Sequence, residues 1–114
     1  MRLPNSGRAI VEDAKVRDYL LAPDHPVGRP KARFFMALGF TRDAWPRLRD
    51  ALLAVARDGE AEIGEATVFG QKSAVRGIVR GPAGRTAAVL TAWIIRRGED
   101  APRLVSAYPW EAPR

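Results

Sequence analysis

The spacing of apolar residues changes once along the chain, near residue 59. Before that point it is helical. Val16, Tyr19 and Leu20 share one side of a helix predicted over Glu12–Ala22, which Pro23 stops. A Pro/Gly loop, Pro23–Arg29, follows, and Pro30 suits the first turn of a second helix carrying Phe34, Phe35 and Leu38. Gly39 reads as its left-handed cap. A third helix begins near Thr41–Asp43 with the stripe Trp45, Leu48, Leu52 and Val55. Pro46 is tolerated in its first turn, and Asp58-Gly59 ends it.

After residue 59 apolar and polar positions alternate. Strands are predicted over Ala61–Val68, Ser73–Arg80, Arg85–Arg96 and Arg103–Tyr108. Phe69-Gly70-Gln71, Gly81-Pro82-Ala83-Gly84 and Arg97-Gly98-Glu99-Asp100 make the turns. The expected fold is α+β: about three N-terminal helices packed on one face of a roughly four-stranded antiparallel meander. Residues 1–9 are expected to be a flexible N-terminus, 10–109 one α+β domain, and 110–114 a C-terminal tail.

The central hairpin separates two faces. Pairing Arg80 with Arg85 across a four-residue turn sets Ile78 against Ala87, Arg76 against Val89 and Ala74 against Thr91. Val75, Val79, Thr86, Ala88, Leu90, Ala92 and Ile94 then form an apolar face for the helices. The opposite face carries Arg76, Ile78, Arg80, Arg85, Val89, Thr91 and Trp93, joined by Ser106 and Tyr108 if Val105 and Ala107 point to the helices. A slip of one residue exchanges the faces. Arg80 opposite Arg85 is a like-charge pair that a phosphate would relieve, unless both splay into water. Trp93 there would stack a base or lie under a loop.

Composition narrows the chemistry. The chain has 114 residues, with 19 Lys+Arg against 13 Asp+Glu, a net charge of +6. The pI near 10.7 points to RNA or an acidic protein as partner, or to charge that serves solubility alone. The absence of Cys excludes disulfides, thiolate metal sites and a cysteine nucleophile, and a single His excludes His-rich metal sites. No phosphate-loop, dinucleotide, nucleophile-elbow or paired-His metal motif is present, so no cofactor and no metal are expected. The longest apolar stretch, Thr86–Ile95, is short of the ~20 residues a membrane span needs. Met1–Asn5 has no signal-peptide core. The expected setting is a reducing cytoplasm, with no membrane partner.

His25 is the side chain suited to acid–base work near neutrality, or else a plain loop histidine. Arg29 and Lys31 run against the usual preference for acids at a helix start and favour an anion there, or form a solvated charge run. Metal-free RNA cleavage needs a base for the 2′-OH, an acid for the leaving 5′-oxygen, and cations for the phosphoryl charge. His25, Lys31, Arg85, Thr91 and Tyr108 are the catalytic candidates. Arg29, Arg76, Arg80, Trp93 and Ser106 are the RNA-binding candidates.

Two stretches carry a resemblance. The first is Lys15-x-x-x-Tyr19-Leu20-Leu21, then His25-Pro26-x-Gly28-Arg29-x-Lys31-Ala32-x-Phe34-Phe35-x-x-Leu38-Gly39-Phe40. The second is Gly81-Pro82-x-Gly84-Arg85-Thr86-Ala87, Thr91-x-Trp93-Ile94 and Pro102-Arg103-Leu104-Val105-x-Ala107-Tyr108-Pro109. Over roughly residues 8–109 the chain resembles a family of small bacterial domains of unknown function, found alone and at the C-termini of toxin-like proteins. Its layout is similar to the barnase–EndoU–colicin–RelE group of metal-independent ribonucleases, whose substrate lies on the sheet face away from the helices. That resemblance implies a ribonuclease toxin of a bacterial toxin–antitoxin pair, with an acidic antitoxin or immunity protein as partner. It would put His25 and Lys31 beside the helices, and Arg85, Thr91 and Tyr108 on the sheet. One His excludes a two-His mechanism. The rival reading is a non-catalytic nucleic-acid- or protein-binding module, antitoxin or regulator, using the same arginines. A third is an interaction domain that pairs through a strand edge.

Overall fold

The computed structural model describes residues 1–110. A 3-10 turn (Ser6–Arg8) leads to a short helix, α1 (Asp13–Lys15), which runs into a π-helical turn (Val16–Leu20). Two longer helices follow, α2 (Arg29–Ala37) and α3 (Trp45–Asp58). Then come four strands: β1 (Glu60–Thr67), β2 (Gly70–Arg80), β3 (Thr86–Arg96) and β4 (Pro102–Pro109). The strands form one antiparallel sheet in the order β1-β2-β3-β4. The fold is the expected α+β arrangement of three helices followed by a four-stranded meander.

The first helix departs from regular geometry for a packing reason. Leu21 N–H donates to the carbonyl of Val16, five residues back, at 2.9 Å. The wider turn lets Val16, Leu20 and Leu21 all be fully buried. Leu48, Leu52, Val55 and Ala56 of α3 meet the same core, with Val75 and Val79 of β2. The period-3.6 and period-2 patterns converge on one apolar layer between helices and sheet.

The hairpin register differs from the expected one by a single residue. Arg80 pairs with Thr86, Arg76 with Leu90 and Val75 with Thr91. The connection holds five residues, not four. Gly81 N–H donates to Arg85 O, Gly84 N–H donates to Gly81 O, and Gly84 adopts φ +88, which a side chain would resist. This extra residue turns β3 over relative to β2. Val89, Thr91 and Trp93 therefore face the helices and are buried, while Ala88, Leu90, Ala92 and Ile94 share the open face with Arg76, Ile78 and Arg80. Arg85 lies in the loop, so no Arg80–Arg85 pair forms.

The N-terminal residues, expected to be loose, are tied to the sheet. Met1 O accepts from Ala61 N–H at 2.8 Å, and the Met1 ammonium meets Glu60 at 2.7 Å. Leu3 is buried, and Asn5 Nδ2 donates to Asp100 O. Ile10 bridges Arg103 in parallel beside β4. At the other end Trp110 N–H donates to Ala88 O. The remainder of the expected tail, 111–114, lies outside the described residues. Among the described residues no helix is long and apolar enough to cross a membrane.

Candidate active site

The sequence candidates divide into groups. Thr91 and Trp93 are core residues. Thr91 Oγ1 donates to Val75 O at 2.9 Å and accepts from Trp93 Nε1 at 2.7 Å, so both polar groups are satisfied out of reach of any substrate. Arg76 and Arg80 lie on the open sheet face, where the Arg76 guanidinium stacks on Trp110, 5.1 Å from the ring centroid. Arg85 sits in the hairpin loop and donates to Ala37 O at 3.4 Å. That is the opposite end of α2 from Lys31, about 9 Å along the helix axis.

His25, Lys31, Ser106 and Tyr108 come together instead around Tyr19, where the π turn, the start of α2 and edge strand β4 meet. The Lys31 ammonium lies 5.4 Å from the Tyr19 ring centroid and 5.1 Å from that of Tyr108. Lys15, one helical turn before Tyr19, also lies 5.4 Å from its ring. Tyr19 Oη and Ser106 Oγ are 3.4 Å apart. The His25 ring meets Tyr19 edge-on at 5.2 Å. Burial alone would raise the Tyr19 phenol pKa. The Ser106 hydroxyl and the Lys31 and Lys15 charges outweigh it, and the phenol is more acidic than an ordinary tyrosine.

The loop before α2 is built to hold this cluster. His25 Nδ1 accepts from the backbone N–H groups of Val27 at 3.1 Å and Gly28 at 3.0 Å, and His25 O accepts from Arg29 N–H. The imidazole thus fixes the turn that leads into α2, as side-chain acceptors do in Asx-type turns. With Nδ1 an acceptor, the proton of the neutral ring is on Nε2, so the ring offers a donor there. Gly28 is required by contact: a Cβ would lie 2.3 Å from Tyr19 O. The loop is thereby pressed against the π turn.

A cavity of about 390 Å³ opens beside the cluster, lined by Glu12, Ala14, Lys15, Asp18, Tyr19 and His25. Hydrogen bonds from Arg17 and then Arg42 pull the Asp18 carboxyl down to about 2, so it is ionised at neutral pH. Among the described residues no group of three His, Asp or Glu side chains could hold a metal.

Helical spacing alone does not single out Tyr19 and Lys15 as candidate site residues and assigns Tyr19 to the core. The available signal was their spacing of four, which sets both on one helical face.

These features define an α+β domain with a basic, phenol-centred site at the helix–sheet junction. A similar fold occurs in a chain of a contact-dependent growth inhibition toxin–immunity protein complex from Klebsiella pneumoniae 342. The TM-score is 0.71 at 13% identity, over 95% of this chain and 98% of that one. No curated protein matches. The chain belongs to the DUF6883 family, a domain of unknown function, whose model matches residues 2–111.

Proposed function

We propose that this protein is a metal-independent ribonuclease toxin of a bacterial toxin–immunity pair, acting on RNA in the cytoplasm, with an acidic immunity protein or antitoxin as partner. The observation that carries the reading is the phenol of Tyr19 held between Lys15 and Lys31 and made more acidic than usual. The fold shared with a chain of a toxin–immunity complex supports it.

The Tyr19 phenolate takes the proton of a ribose 2′-OH while Ser106 donates to the phenolate oxygen. The 2′-oxygen bonds to phosphorus, and the P–O5′ bond breaks to leave a 2′,3′-cyclic phosphate. The Tyr108 hydroxyl gives its proton to the departing 5′-oxygen. Lys31, close to both phenol rings, neutralises the charge that builds on the phosphoryl oxygens. His25 holds the loop and presents its Nε2–H, and Arg29 meets the RNA backbone. Thr91 and Trp93 take no part, and Arg85 is outside the chemistry.

The test is cleavage of an end-labelled RNA by purified protein in EDTA. Wild type yields fragments ending in a cyclic phosphate. Tyr19→Phe and Lys31→Ala, each with an unchanged circular dichroism spectrum, cut at least ~100-fold more slowly, the usual scale for a lost acid–base group. Wild-type rates in both variants would remove the site. Protection of RNA without cutting would replace the enzyme with the binding module.

A further inference from the structure

The open face of the sheet borders the site on β4, where Ser106 and Tyr108 pair with Ala92 and Leu90, but on β2 and β3 it has a different character. Among the described residues no helix covers its centre, which is aliphatic: Ile78, Ala88, Leu90, Ala92 and Ile94 lie side by side on β2 and β3. Ile78 is 66% exposed. A shallow cavity of about 230 Å³ opens there, lined by Glu60, Arg76, Gly77, Ile78, Ala88 and Trp110, and the Glu60 carboxylate is already paired with the Met1 ammonium. Lys72, Arg76, Arg80 and Arg96 alternate with the aliphatic positions and are exposed. Among the described residues none of these four cations forms an ion pair.

We infer that this open face is the docking surface for an acidic protein partner, which sets an apolar anchor on Ile78 and Leu90 and carboxylates on Arg76, Arg80 and their neighbours. The aliphatic centre distinguishes protein from RNA. The middle of the face offers a nucleic acid no stacking ring: the aromatic rings lie at its borders, Trp110 against Arg76 and Tyr108, which pairs with Leu90, against Lys31. An apolar middle rimmed by unpaired charge is the composition of a protein interface, and the charge sign selects an acidic partner. Eleven-residue strands and a width of four strands give a face of roughly 500–700 Å². That approaches the ~800 Å² per partner of a stable complex. The inference deepens the partner half of the proposed function and is independent of its catalytic half.

The experiment selects binders from a library of random twelve-residue peptides displayed on phage, using the full-length protein as bait. The expected winners carry two or more carboxylates around a bulky apolar residue. On titration the synthetic peptide shifts the amide resonances of Arg76, Ile78 and Leu90. Arg76→Glu/Arg80→Glu and Ile78→Asp each weaken it at least ~10-fold while the circular dichroism spectrum is kept, and raised salt weakens it as well. Failure to enrich any sequence, enrichment of basic or uncharged peptides, or shifts confined to the Tyr19 cluster would overturn the inference. A single-stranded RNA probe that shifts the open-face resonances and competes with the peptide would also overturn it, assigning the face to nucleic acid. RNA cleavage is scored separately on the same variants. Peptide docking without cleavage removes the catalytic proposal alone, and cleavage without docking removes this one alone.

Discussion

His25 illustrates how one side chain is assigned by its hydrogen bonds rather than by its type. As the only imidazole it is the obvious acid or base, yet Nδ1 is occupied by two backbone N–H groups. A side-chain acceptor for loop N–H groups is worth about 0.5–1.5 kcal/mol per bond. His25→Ala is expected to lower the urea midpoint by that order. His25→Asn, whose amide oxygen can accept from the same backbone groups, is expected to restore most of it. Nitrogen-15 NMR of the ring should place the neutral proton on Nε2, and a proton on Nδ1 would end this account of the turn. RNA cleavage by His25→Asn should stay within a few-fold of wild type, whereas a catalytic imidazole would lose far more. At this scale much of the site was readable from residue type: Lys31, Ser106 and Tyr108 are polar groups on the elements that meet there. Tyr19 was not readable, because a phenol at an apolar helical position looks like core until the cations around it are in place.

Helices, strands and their order follow from the two periodicities, and the strand limits agree to within a few residues. What periodicity does not fix is the number of residues in a turn. One extra residue between Arg80 and Thr86 exchanged the faces of β3 and moved Thr91 and Trp93 from a supposed RNA surface into the core. Side-chain volume held a clue. In the observed register Val75, Val79, Val89 and Trp93 share the helix face, and Ala88 and Ala92 of β3 are left on the open one. The Thr91 hydroxyl serves that packing by accepting from the Trp93 indole. Thr91→Val is expected to strand the buried indole N–H and cost about 1–3 kcal/mol in chemical denaturation. Cleavage per folded molecule should be unaffected. Loss of cleavage with unchanged stability would return Thr91 to the site.

Over the whole molecule, the positive charge is divided between two surfaces of different character. Lys15 and Lys31 flank a phenol beside a polar cavity, whereas Lys72, Arg76, Arg80 and Arg96 border an aliphatic sheet face. The net charge of +6 favours anions at both, the phenolate included. This gives the proposed cleavage reaction a definite pH dependence. In the proposed mechanism Tyr19 serves as the base only when deprotonated, so the rate should climb with pH and level off once the phenol has ionised. Because neighbouring cations favour the charged form, that limb should lie below the range of an ordinary tyrosine. Lys15 contributes charge without a place in the bond-breaking steps. Lys15→Met should therefore move the limb to higher pH and leave the plateau rate unchanged, and added salt should move the wild-type limb in the same direction. Profiles of single-turnover cleavage measured for both proteins decide the matter. A limb that stays put in Lys15→Met would detach the acidity of Tyr19 from its cations. A rate that falls as pH rises would make Tyr19 the acid and hand the proton-accepting role to another group.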